Sequence, residues 1–310
     1  MKEKLILLAT AAMLLAACNK SRVVMPEAYG PHPPVAESSP YSNRVIAYRP
    51  APGQFINNTL MGFTGEETTA EAARAYADRM LHPTDGSSPR MISLGGFGGY
   101  VVVGFDHSIQ ATGGCEGYDF SITGNQFSGS SEPGVVWVMP DENGNGEPDD
   151  GVWYELQGRY AAESVRDYAV TYYRPAADGD PVRWSDSAGR EGQIERIIDH
   201  EQNYFPLWEE ASYTLTGTCL PDRSGTGDNG RFSTGDYGWG YADNWGEDML
   251  EQPKAKNFFR IADAVDGEGN PVALRYIDFI KVQTGVNIQG RSGVGELSTE
   301  VSRFRDENLE

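Results

Sequence analysis

Residues 91–158 read MISLGGFGGYVVVGFDHSIQATGGCEGYDFSITGNQFSGSSEPGVVWVMPDENGNGEPDDGVWYELQG. Three short β-branched or aromatic runs lie in this stretch: Tyr100–Phe105, Tyr118–Ile122 and Val135–Met139. A fourth, Val152–Leu156, follows the acidic turn Asp141–Asp150. Gly, Asn, Asp or Ser bounds each run, which is how strands joined by tight turns look. The runs recur roughly every fifteen residues with no helical period between them, so the stretch reads as all-β. Gly95-Gly96-Phe97-Gly98-Gly99 precedes a strand instead of linking strand to helix. It is therefore a turn with glycines at positive φ, not a dinucleotide loop.

The same pattern continues downstream. Strands are expected at Tyr168–Tyr173, Val182–Ser185, Gln193–Ile198, Tyr213–Thr218, Asn257–Ile261, Ala273–Tyr276 and Asp278–Thr284. One helix is expected over 69–82, with Thr68 or Thr69 as its cap and Glu71 in its first turn. Ala73, Ala77, Met80 and Leu81 form its apolar stripe, and Pro83 ends it. Together these elements predict a jelly-roll-like antiparallel β-sandwich with one covering α-helix and long loops. The rival is a β-propeller, but no repeat of about 40 residues is present.

Upstream, Lys2 and Lys4 precede the apolar run Leu5–Leu15, and Leu15-Ala16-Ala17-Cys18 follows. This reads as a lipoprotein signal peptide (1–17) with Cys18 as the lipidated residue. Prolines 26, 31, 33, 34 and 40 make 18–44 an extended tether. A single domain is expected over 45–301, followed by a polar tail (302–310). Among 310 residues, 45 are acidic and 25 basic, a net charge of −20. Loss of the leader, with Lys2, Lys4 and Glu3, makes it one unit more negative. So acidic a surface repels nucleic acid and anionic lipid and favours divalent cations and neutral or cationic ligands. Cys115 and Cys219 either pair in an oxidising compartment or stay as two buried thiols.

Three residue sets carry candidate chemistry. Asp141, Asn143, Asn145, Gly146 and Asp149 stand at positions 1, 3, 5, 6 and 9 of an EF-hand-like loop. Glu147 would add its carbonyl, but Val152 replaces the bidentate Glu at position 12. This turn is read as a structural Ca²⁺ site, against a plain hairpin with solvated acids. A dispersed set comprises Asp106, Asp119, Asn125, Glu132, Glu296 and Glu300. Asp119 or Asn125 with Glu300 would make a second cation site, but without local spacing ordinary strand-end acids are the better reading. Finally, all six Trp lie beyond residue 136. Tyr204–Trp208 and Tyr237–Trp245 are aromatic runs in a Gly-, Pro- and Asn-rich setting. Tyr204, Trp208, Trp239, Tyr241, Asp243 and Asn244 are therefore expected to form one ligand face. No H-E-x-x-H, G-x-S-x-G or Walker motif occurs.

The motifs SLGGFGGYVVVGFDHSI (93–109), SEPGVVWVMPDENGNGEPDD (131–150), YRPAPGQFINN (48–58), YGWGYADN (237–244) and IDFIKVQTGVN (277–287) resemble a family of Bacteroidetes cell-surface lipoproteins. Members are often labelled cell-surface or PKD-domain-containing proteins. The resemblance implies outer-membrane attachment, display at the cell surface and an accessory role beside a cobalamin uptake receptor. The chain is then a binding protein and not an enzyme, with a corrinoid as ligand. Carbohydrate recognition in a glycan-uptake system is the alternative, and a glycan-active enzyme or a purely structural surface protein stands further off.

Overall fold

A computed structural model describes residues 30–114, 116–227, 230–250, 256–291 and 293–310. Among the described residues the chain is an all-β antiparallel sandwich with one covering α-helix. Its main sheet runs in the order Arg44–Arg49, Tyr100–Gln110, Tyr276–Thr284, Gly134–Met139, Tyr154–Leu156, Ala264–Val265. The short strand Tyr241–Ala242 also pairs with Gly134–Met139. A late strand thus lies between two early ones, the crossover that gives the sandwich its jelly-roll-like character. A second sheet is Ser212–Cys219, Val165–Tyr173, Val182–Asp186, Glu191–Ile194. A third is Lys256–Phe259, Phe120–Thr123, Arg303–Asp306.

Sequence alternation places the core. Val101, Val103 and Phe105 point to one face, where they join Val136, Val138, Ile280, Val282, Ile122, Phe304 and the helix residues Tyr76 and Ala77. Tyr100 points the other way, onto Tyr168, Val170, Tyr172, Tyr213 and Leu215 of the second sheet. Ile277 shares a cluster with Ile280 and Val282 although its parity differs. A bulge between Ile277 and Phe279 restores the facing. Each large side chain buried in this way stabilises the fold by about 1.5–3 kcal/mol.

The helix spans Ala70–Leu81. The Thr69 side chain accepts a hydrogen bond from Ala72 N, and Ala73, Tyr76, Ala77, Met80 and Leu81 are buried. The 95–99 turn is as compact as its glycines suggest. Gly95 has φ +68, and a β-carbon there would stand 2.0 Å from the Ala51 carbonyl oxygen.

Four expectations need correction. The residues after Val301 are not a frayed tail. Arg303–Asp306 completes the third sheet, with Phe304 fully buried and Asp306 nearly so. Alternation of Arg303, Phe304, Arg305 and Asp306 is a half-buried strand pattern that polar composition hid. The described part of the expected tether is docked on the domain; residues 1–29, with the signal peptide and the start of the tether, lie outside the described residues. His32 exchanges hydrogen bonds with Ser108, Ser42 N donates to the Phe304 carbonyl, and Asn43 N donates to the Gly104 carbonyl. Lastly, Ala273–Tyr276 is not a strand of its own. Tyr276 instead opens the central strand, and Gln193–Ile198 is replaced by Glu191–Ile194, leaving Ile198 exposed.

Candidate functional site

The segment 237–248 is a folded knot and not an open aromatic loop. Asn244 Oδ1 accepts from Tyr237 N (3.1 Å), and its Nδ2 donates to the Gly238 carbonyl (3.2 Å). The Tyr241 hydroxyl accepts from Tyr160 N (3.0 Å). Asp243 has φ +53, and its carboxylate accepts from Asn125 N and Glu300 N, both at 2.8 Å. Asp248 accepts from Gly240 N (2.8 Å) and from Asn257 Nδ2 (2.9 Å). Side-chain oxygens thus satisfy backbone N–H groups that the turn takes out of water, which is what lets a glycine-rich segment be buried. Tyr241, Asp243 and Asn244 are all buried, as is Tyr204, whose hydroxyl accepts from Ile197 N (3.2 Å).

Of the six residues expected on one ligand face, only Trp208 and Trp239 are partly exposed, and they line different clefts. Trp208 packs beside Tyr48 (ring centroids 6.5 Å apart), in a cleft with Arg49, Arg74 and Glu209. The single face expected from sequence is therefore divided. Trp239 borders a cavity of about 280 Å³ with Tyr118, Phe258, Glu247, Asp248 and Arg260. Tyr118 and Phe258 are tilted at 5.8 Å, and the Arg260 guanidinium sits 4.4 Å over the Tyr118 ring. Burial pushes the Asp248 carboxyl up to about 7. Phe258 and Arg260 share one segment 19 and 21 residues after Trp239, and Tyr118 lies 121 residues before it, so no local motif marks them. Apolar rings with a few polar groups converging on one hollow are the usual composition of a small-molecule site.

The acidic turn folds on itself. Both oxygens of buried Asp141 accept backbone N–H groups, from Gly144 (2.7 Å) and Gly146 (2.8 Å). Asn143 and Asn145 donate to Asp149 at 2.8 and 3.0 Å. Asn145 Oδ1 accepts from Glu147 N (2.7 Å). The spacing read from sequence does bring Asn143, Asn145 and Asp149 together, while Asp141 serves as the internal cap of the turn.

The dispersed acids behave otherwise. Glu132 and Glu300, from segments 168 residues apart in numbering, meet Asp243. One carboxylate oxygen from each lies within 4.8 Å of the other two. Asp119 instead caps Gly113 N and Ile261 N, and Glu296 accepts from Gln54 N. Burial and mutual repulsion push Glu132 and Asp243 well above the usual carboxylate range. Burial also raises Glu300.

One relay has the order of a hydrolase triad: Ser42 Oγ to His82 Nε2 (2.9 Å) and His82 Nδ1 to Asp78 Oδ1 (3.0 Å). The Ser42 and Asn43 amides are already bonded to the Phe304 and Gly104 carbonyls, so neither is available to an oxyanion. His82 is the helix C-cap, and the relay ties that end to the strand edge. Cys219 is a free thiol, pushed up to about 11 by burial; Cys115 and Cys18 lie outside the described residues. Among the described residues no helix is long and apolar enough to cross a membrane. No protein-family model matches the chain, and no curated protein matches it.

Proposed function

We propose that the chain is a non-enzymatic binding module, tethered to the outer membrane through Cys18. It works at the cell surface beside an uptake receptor or transporter, with the Trp239 cleft as its ligand site. The observation that carries this reading is the convergence of Trp239, Tyr118 and Phe258 with Arg260, Glu247 and Asp248 around one hollow. Rings give a flat apolar contact at low entropy cost, and the polar groups orient a ligand rich in amides or hydroxyls. A corrinoid is the first candidate: its ring would lie across the rim and a peripheral amide would enter the hollow. A glycan is the alternative, stacked on Trp239. A structural calcium in the turn 141–150 belongs to the same proposal as a rigidifying element.

Calorimetry with cyanocobalamin and with a panel of glycans tests the site. Trp239→Ala is expected to weaken binding by about 1–3 kcal/mol, as for a desolvated aromatic anchor, with melting essentially unchanged. A wild-type protein that binds neither ligand class would refute the reading. So would a Trp239→Ala variant that binds as well as wild type.

A further inference from the structure

We propose that Glu132, Asp243 and Glu300, with the amide oxygen of Gln126, bind a hard divalent cation of the calcium type. The site joins four segments. Asn125 follows the strand Phe120–Thr123, Glu132 precedes Gly134–Met139, Asp243 follows Tyr241–Ala242, and Glu300 begins the short strand Glu300–Val301. Among the described residues, none of the three carboxylates forms a salt bridge with Lys, Arg or His. Three acids held this close with no basic partner need either shared protons or a cation.

The Gln126 amide points to the cation. Gln126 is 5% exposed, its Nε2 donates to Asn257 Oδ1 (2.9 Å), and its Oε1 has no donor. Turning the Gln126 amide does not help. Asn257 is itself fixed, since its Nδ2 donates to the Asn244 carbonyl (2.7 Å) and to Asp248 Oδ1 (2.9 Å). Turning Gln126 would therefore set oxygen against oxygen. The stranded Gln126 oxygen and Asp243 Oδ1 both lie over the bare α-carbon of Gly124, 2.6 and 2.5 Å from where a β-carbon would stand. A buried acceptor thus faces the carboxylate cluster with nothing to accept.

Asn125 lies between two of the carboxylates. With Nδ2 toward Glu300 Oε2 (3.3 Å), its oxygen meets Asp243. With the amide turned, the nitrogen lies 2.9 and 3.3 Å from the Asp243 oxygens and both amide atoms are satisfied, so the Gln126 oxygen is the acceptor that points to an ion. A cation among the carboxylates gives that oxygen a partner and offsets their mutual repulsion at once. Carboxylate, amide carbonyl and water are the ligands calcium takes, six to eight in number. Glu132 is half-buried and Asn125 exposed, so an ion has a way in and room to keep waters.

The ion is tested alone, with no organic ligand, so the result is independent of the Trp239 reading. Asn145→Ala with Asp149→Ala, both at exposed positions, removes the acidic turn as a competing site and serves as the background. In that background, calorimetry of chelator-stripped protein with Ca²⁺ should show one site with Kd below about 1 mM. Glu132→Gln with Glu300→Gln should weaken it at least tenfold. Melting supplies a second readout of opposite sign. In EDTA the Gln pair should melt higher than its parent, because repulsion is relieved. In calcium it should melt lower, because only the parent gains the ion. An absence of binding in the background variant overturns the proposal, as does binding that survives the Gln pair. A Gln pair melting above its parent in both conditions means that shared protons alone hold the cluster, and overturns it too.

Discussion

His107 offers a perturbation whose size follows from the structure. The ring is 1% exposed and lies between two carboxylates, with Nδ1 2.7 Å from Asp106 Oδ1 and Nε2 3.0 Å from Asp306 Oδ2. Both nitrogens donate only when the imidazole is protonated. The hydrogen bond to Asp306 is the main cause that raises His107 above its ordinary range, with that to Asp106 adding to it and burial opposing. His107→Phe keeps a ring in the space and removes both donors. Asp106 is over a third exposed and regains water, so its loss counts for little. Asp306 is 3% exposed and its Oδ2 is stranded, while Oδ1 keeps Asn308 N (2.8 Å). Removing one partner of a buried pair costs about 3–5 kcal/mol, and this sets the expected loss at acid-to-neutral pH. The pH dependence has a definite sign. A group whose folded pKa is raised contributes stability that is complete below its unfolded pKa of about 6.5 and fades as pH rises through the folded value. Urea unfolding of both proteins at pH 5.5, 7 and 8.5 should show the gap narrowing upward. A gap below about 1 kcal/mol at pH 5.5, or one equal at all three values, would refute a charged bridge.

Three further outcomes are expected. Phe304→Ala should lower stability by about 3–5 kcal/mol in urea unfolding, as for a fully buried aromatic; an unchanged midpoint would return residues 302–310 to the status of a loose tail. In the Glu132→Gln/Glu300→Gln background, a calcium-dependent rise in melting temperature should remain and should vanish on adding Asn145→Ala with Asp149→Ala. A chelator without effect on that background would leave the turn 141–150 to its own hydrogen bonds. Cys18→Ala should move the protein from the membrane to the soluble fraction, and retention in the membrane without uptake of labelled fatty acid would remove the lipid anchor from the proposal.

How far the sequence could be read depends on whether a feature is local. Strand alternation, the Thr69 cap and the glycine turn at 95–99 each act within a few residues, and each is legible. The aromatic run 237–245 shows where that logic stops. Glycine, Asn and Asp at high density mark an exposed loop because such backbone usually needs water. They mark a buried turn equally well when side chains replace the water, as Asn244, Asp243 and Asp248 do here. Composition is the same in both cases; the partners that decide between them, Glu300 and Asn257, lie 57 and 9 residues from the groups they meet. The dispersed acids teach the converse. Asn125, Glu132 and Glu300 look unrelated because their spacing is long, yet their distances across the fold are short. The pairing of Tyr241–Ala242 with Gly134–Met139 sets Asp243 beside Glu132, and the Asn125 and Glu300 amides close on the Asp243 carboxylate. Residues that strand pairing converges upon cannot be found by spacing, because the convergence is a property of the sheet order and not of any segment in it.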